Sequence, residues 1–317
     1  MDFFRRLSRK KQSANKSTHN ESEALRLDTQ ESASLGFPSG LAPAELGYYR
    51  EVLRIAQYHR DFHEEWQALE NIGDVFVRSG DNQRAAAYYQ RALNLARGNN
   101  DQRRETGSLF SLSDALEKVG ETGKAKHYRD EALAIARESE GTILSDLGIH
   151  LASAVGEEYL KRAVNLFELH LQIAREAGSR ASEEAALGNL GSAYLNLGYV
   201  HRAIDYFKKA LIIAKELDDT DGMEAALGSL ASAYKNVGDL PKATEYFDEA
   251  LALSRKTGNQ NRLAINALNK ARLFVQQGDL KRALPLAREA ADIFGRKGDP
   301  NAQRAKELVA EILSSRR

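Results

Sequence analysis

Residues Gly188-Asn189-Leu190-Gly191-Ser192-Ala193-Tyr194 decide the fold, because the stretch returns as Gly228-Ser229-Leu230-Ala231-Ser232-Ala233-Tyr234. The offset is 40 residues, and it persists downstream: Gly198 becomes Gly238 and then Gly278, Ala203 becomes Ala243 and Ala283, and Ala210 becomes Ala250 and Ala290. In the N-terminal half Gly80 pairs with Gly120, Ala85 with Ala125 and Ala92 with Ala132. Self-similarity at a fixed period of this size marks a stack of one supersecondary unit.

The spacing within a unit explains itself. Leu187, Leu190 and Tyr194 lie three and four apart, which puts them on one helical face. Gly198 follows and can take the left-handed conformation that ends a helix. Ala203, Phe207 and Ala210 then form the facing stripe of a second helix. Small residues at Gly191, Ala203 and Ala210 let two backbones approach, and Tyr194 and Phe207 fill the space beside them. One such hairpin cannot bury its apolar face alone, so neighbouring hairpins must stack.

Small–x2–Tyr, Gly, then Ala–x3–Phe–x2–Ala resembles the signature of the tetratricopeptide repeat (TPR). With about six residues more than the usual 34, the unit is most similar to the long-repeat subclass of kinesin light chains and spindle-orientation adaptors of the LGN type. The resemblance covers roughly residues 44–297 and implies an all-α fold, an α-solenoid in which antiparallel helix pairs form a right-handed superhelix. Six units are expected, at about 63–99, 103–139, 143–177, 183–218, 223–258 and 262–298. Two depart from the pattern. The third has His170 in place of the last Ala and its turn glycine displaced to Gly156, so a kink or altered loop is expected. The sixth has Lys270 and Ala287 where Leu and Phe would stand, which suits a terminal unit whose outer face meets less protein. Residues 41–317 are therefore read as the repeat array with flanking capping helices. The C-terminal one is expected to have Asp299 as N-cap and Pro300 as first residue.

Residues 1–40 differ. Ser, Thr, Asn, Gly and charged residues dominate without periodicity, which predicts a disordered tail. Its start carries Phe3, Phe4 and Leu7 among Arg5, Arg6, Arg9, Lys10 and Lys11. That segment is either a solubilising terminus or a weak contact for an anionic membrane or a partner.

Composition narrows the function. Lys+Arg and Asp+Glu both number 45, so nothing draws the chain as a whole to nucleic acid, and none is expected as partner. The absence of cysteine removes disulfides, thiolate metal sites and Cys nucleophiles together. No apolar run is long enough to span a membrane, and no apolar segment follows the basic N-terminus as a secretory signal requires; a cytoplasmic protein is expected.

A search for chemistry finds none. His59 and His63 are four apart, but the His-Glu-x-x-His order is absent. Gly120-Glu121-Thr122-Gly123-Lys124-Ala125 lacks both the glycine spacing and the Ser/Thr of a phosphate loop. The acidic residues Glu183, Glu184, Asp218 and Asp219 read as solvated helix positions without an apolar surround to raise a pKa. Tyr194, Tyr234, Phe76, Phe207, Phe247, Phe274 and Tyr89 fall on core positions, whereas Trp66 is off that grid. No enzyme activity, cofactor or metal is expected.

The resemblance implies a concave groove lined by the first helices of successive units, taking an extended or helical peptide of another protein. The residues expected there are Asn71, Asp74 and Arg78; Ser111, Asp114 and Lys118; Asn189, Ser192 and Asn196; Ser229, Ser232, Lys235 and Asn236; and Asn269, Arg272 and Gln276. Amides offer donor and acceptor together and suit a peptide backbone. The Lys/Arg clamp of chaperone-tail TPRs is missing, since those places hold Gln67, Glu70, Gly107, Phe110, Ala185 and Gly188. The sequence is thus read as an adaptor or scaffold, or alternatively as a sensory or regulatory protein that binds a short signalling peptide or controls an enzyme partner.

Overall fold

The computed structural model describes residues 42–154 and 156–315; the tail 1–40 and its basic start lie outside the described residues. Among the described residues there are fourteen helices and no strand. They are α1 (Ala42–His59), α2 (Phe62–Arg78), α3 (Asn82–Gly98), α4 (Gln102–Val119), α5 (Thr122–Glu138), α6 (Thr142–Ala152) and α7 (Glu157–Glu176). There follow α8 (Arg180–Asn196), α9 (Val200–Glu216), α10 (Thr220–Val237), α11 (Leu240–Thr257), α12 (Gln260–Gln276), α13 (Leu280–Lys297) and α14 (Asn301–Ser314). Two compact units divide the chain, Met1–Ala132 and Leu133–Arg317, the division falling inside α5.

In the first unit α1 packs on α2, α2 on α3 and α3 on α4. Ile72 and Phe76 of α2 and Ala85, Tyr89 and Ala92 of α3 are buried. Gly73 is the small residue that makes this possible: a Cβ there would run into the Tyr89 ring. In the second unit α6 and α7, α8 and α9, α10 and α11, and α12 and α13 form hairpins, with α14 packed on α13. Gly191 faces the Phe207 ring just as Gly73 faces Tyr89, and Gly148 faces Phe167. Gly188, in contrast, has open space around it and takes no part in the crossing. Ala203, Phe207 and Ala210 are buried in the same core as Leu187, Leu190 and Tyr194.

Helix starts carry a second period, one that the glycine pattern alone does not reveal. Asp61, Asp81, Asp101, Asp219, Asp239, Asn259 and Asp279 each accept a backbone N–H at the start of the following helix. A short side-chain acceptor there satisfies a donor that the helix cannot reach. Gly80, Gly120, Gly198, Gly238 and Gly278 take positive φ inside the hairpins; between them Gly178 and Gly258 do the same, while Arg60, Asn100 and Asp218 take φ of 53°, 54° and 52°.

The third hairpin is irregular, for two local reasons. Its helices start at Gly141 and Gly156, which have no side chain to cap with, and α6 has only 11 residues. His170 is 1% exposed with neither ring nitrogen bonded, and its ring lies where a Cβ on Gly141 would stand. The sixth hairpin corrects its expectation. Lys270 and Ala287 do not face open space; they are 5% and 0% exposed, because the last hairpin and α14 share one core. The Lys270 ammonium escapes the cost of burial by pairing with Asp248 and lying over the Phe274 ring. At the last helix, Asp299 Oδ1 accepts the Asn301 N–H at 2.7 Å, but Pro300 occupies the cap position, one residue later than the sequence suggests.

Candidate partner-binding face

The polar positions expected to line a groove lie on the first helix of each hairpin, between the core positions. In the second unit these helices are α6, α8, α10 and α12, of which α8 packs on both α6 and α10, and α10 on α12. Asn196, Asn236, Arg272 and Gln276 are exposed; Ser229, Lys235 and Asn269 are half-buried. Asn189 already has a partner, since its Nδ2–H donates to Ser145 Oγ of α6 at 2.9 Å. The Ser192 and Ser232 hydroxyls donate to carbonyls one turn back, Gly188 O at 3.0 Å and Gly228 O at 2.9 Å, and keep only acceptor capacity. The side chains of Asn196, Asn236, Asn269, Lys235 and Arg272 make no hydrogen bond or ion pair with a described residue. The Lys235 ammonium is held below the ordinary lysine range by loss of solvent and then by the nearby Arg272 charge.

Most of the same positions of the first unit are occupied, Lys118 being exposed and unpaired among the described residues. Asn71 lies 3.5 Å from the Gln67 amide, Tyr89 O–H donates to Asp74 at 2.7 Å, and Arg78 pairs with Glu45 at 2.8 Å. Arg129 reaches both Asp114 and Glu117, at 3.0 and 2.7 Å. Glu70 accepts from Ser108 at 2.7 Å and from Ser111 at 3.1 Å, while Trp66 Nε1–H donates to Ser108 at 3.0 Å. Trp66, off the repeat grid, therefore closes a polar network between α2 and α4, with Arg104 over its ring. Ser111 does not face a groove: it is buried.

The segments that carry these hairpins match family models described as Tetratricopeptide repeat, one over residues 222–296 and a second over 68–103 and 186–220. The chain is a tetratricopeptide repeat protein.

As a TPR protein it is an interaction scaffold in the general sense. No curated protein matches it. Among solved structures it is similar to BtubC from P. vanneervenii, at 21% identity over 69% of this chain and 93% of that one, with a TM-score of 0.37. A Rap protein complexed with competence and sporulation factor is 17% identical over 93% of both chains, with a TM-score of 0.41. A putative kinesin light chain with nearly identical TPR-like repeats, from Podosopora anserina, is 16% identical over 73% of this chain and 95% of that one, with a TM-score of 0.39. No described helix is long and apolar enough to cross a membrane.

The TPR core explains the aromatics, but two features of the second unit escaped the sequence reading. Glu183 and Glu184 are not solvated. Glu183 is 9% exposed and held by Arg175 and Arg180 at 2.8 and 2.6 Å, which keeps its carboxyl ionised below the usual range against the desolvation that opposes it. Glu184 lies over Gly222, beside the Asp219 carboxylate, and burial followed by that charge pushes its pKa up to about 7. The second feature is Asn266. It is 3% exposed with its Nδ2 unbonded, wedged against Gly228. Ala186 and Ala226 stand at the same place in the two preceding units, so aligning the repeats singles it out.

Proposed function

We propose that this TPR protein is an adaptor that captures an extended or helical segment of a partner protein along the first helices α8, α10 and α12, in the concave groove expected of the repeat. The observation that carries the reading is the row of unsatisfied polar side chains on that face. Among the described residues the side chains of Asn196, Asn236 and Asn269 keep both donor and acceptor free, whereas Asn71, Asp74, Arg78 and Asp114 of the first unit are tied to neighbours. A peptide backbone laid across such amides gains hydrogen bonds without their first having to break an intramolecular one. Asn189, Ser192, Ser232, Lys235 and Arg272 complete the face, and Asn71 and Arg78 play a lesser part because they are already engaged.

The test is affinity capture of partners from a lysate, followed by titration of the captured partner against the wild-type chain and the Asn196→Ala/Asn236→Ala variant. Each lost ligand hydrogen bond is expected to cost about 1 kcal/mol, so the double variant should bind several-fold to tenfold more weakly with its melting temperature unchanged. Equal affinity of the two proteins would move the binding site off this face.

A further inference from the structure

We infer that Asn266 and Asn269, set against Gly228 at the seam between α10 and α12, receive one main-chain peptide group of the bound segment. The inference rests on the proposed function and gives the segment a fixed point on that face.

The matching seam of the first unit shows what the second one lacks. Glu70 of α2 stands ten residues before its turn glycine, Gly80, and its carboxylate accepts from Ser108 and Ser111 of α4 at 2.7 and 3.1 Å. Counted from their own turn glycines, Gly228 holds the place of Glu70, Asn266 that of Ser108, and Asn269 that of Ser111. The donors are repeated; the acceptor is not. Trp66, the other partner of Ser108, is replaced by Glu224, whose Oε1 accepts the Thr257 O–H at 2.5 Å and whose Oε2 is unbonded. Asn266 is 3% exposed, and its Nδ2 has no partner among the described residues. A buried donor in that state costs stability. Ala186 and Ala226, at the same place of α8 and α10, avoid the cost.

The seam is shaped for a backbone. A Cβ on Gly228 would run into Asn266 Oδ1, so the carboxamide lies where a side chain of residue 228 would stand. Half a turn about χ2 exchanges Oδ1 and Nδ2 there, so the group can accept or donate. Gly228 is half-buried, and its carbonyl already takes the Ser232 hydroxyl at 2.9 Å. A main chain approaches closely where no Cβ intervenes, and two carboxamides match the N–H and C=O of a peptide group. A carboxylate, the group that Glu70 supplies in the first unit, fits less well. Glu224 stands one turn before Gly228 on α10, and like charges oppose each other.

Dodecapeptides selected on the full chain from a random display library supply the probe, and fluorescence anisotropy measures their affinity. Asn266→Ala should weaken them up to about tenfold, while the melting temperature holds or rises. A scan of each peptide with backbone ester linkages locates the peptide group. One linkage should weaken binding to the wild type and have no further effect on Asn266→Ala. Asn269→Ala should lose the same linkage, which keeps the test decisive if Asn266→Ala folds poorly. Unchanged affinity of both variants, or ester effects that simply multiply with them, would overturn the seat; if Asn196→Ala/Asn236→Ala still weakened the peptides, the groove reading would stand alone. Indifference to every variant, or a failure to select any peptide, would remove groove and seat together. Coupling of Asn266→Ala to an Asp or Glu side chain of the peptide, and to no linkage, would overturn the assignment to the main chain.

Discussion

The first-helix faces of the two units are built from the same kinds of residue and end in opposite states. On α2 and α4 a carboxylate meets two serines and a tryptophan network, another meets a tyrosine, and an arginine bridges two more. On α8, α10 and α12 the side chains of Asn196, Asn236, Asn269, Lys235 and Arg272 make no hydrogen bond or ion pair with a described residue. A polar face that satisfies itself contributes to holding adjacent helices together; one that does not stays hydrogen-bonded to water. Composition cannot separate the two cases, because Arg78 and Asn236 occupy the same place in their units, two residues before Gly80 and Gly238. What separates them is whether a complementary side chain on a neighbouring helix lies within hydrogen-bond reach.

The core of the second unit comes first among the ways to test this comparison, because its first-helix face depends on it. Ala203→Glu would force a charge and added volume into the α8–α9 crossing at a fully buried position, and about 4 kcal/mol of stability should be lost. Urea unfolding followed by circular dichroism measures it, and an unmoved midpoint would place Ala203 outside the crossing. Next is the network of the first unit. Glu70→Ala strands the hydroxyls of Ser108 and Ser111, which are both buried, and should cost about 2–3 kcal/mol. A loss below about 0.5 kcal/mol, the level of an ordinary surface change, would mean that the first unit's face is no better tied than the second's.

The third prediction concerns the proton on Glu184. An ordinary glutamate titrates near 4.5, whereas Glu184 in the folded chain holds its proton up to about 7. Folding therefore takes up a proton between those values, and stability falls as pH rises from about 4.5 to about 7. Glu184→Gln keeps the neutral shape at every pH, so it should leave stability at pH 4 unchanged and raise it at pH 8 by about 1–2 kcal/mol, after allowance for partial exposure. Melting curves of the two proteins at both pH values decide it; parallel pH profiles would show that Glu184 is as solvated as its composition suggests. The smallest effect belongs to the open face. Asn196→Ala/Asn236→Ala should change folding stability by less than about 0.5 kcal/mol, since neither amide holds a partner among the described residues. A clear loss of stability in the absence of ligand would close the gap between the two faces.

The period of 40, the helix pairs and the core were legible in the residues because they depend on contacts of fixed local spacing. A small residue at Gly73 or Gly191 must meet the ring sixteen positions later, at Tyr89 or Phe207, and the sequence alone displays that pairing. The occupancy of the polar face was not legible. Ser108 reaches Glu70 across 38 residues and Asn189 reaches Ser145 across 44, between side chains that no repeat rule couples. The same holds for Glu184, whose proton affinity arises from Gly222 and Asp219 on the approach to the next hairpin. Sequence by itself therefore determined the core positions that repeat, but not the burial of Ser111, Glu183 or Lys270. Only the tertiary structure decided which water-facing groups find each other, because hydrogen bonding and desolvation depend on distances of a few ångströms between helices far apart in the chain.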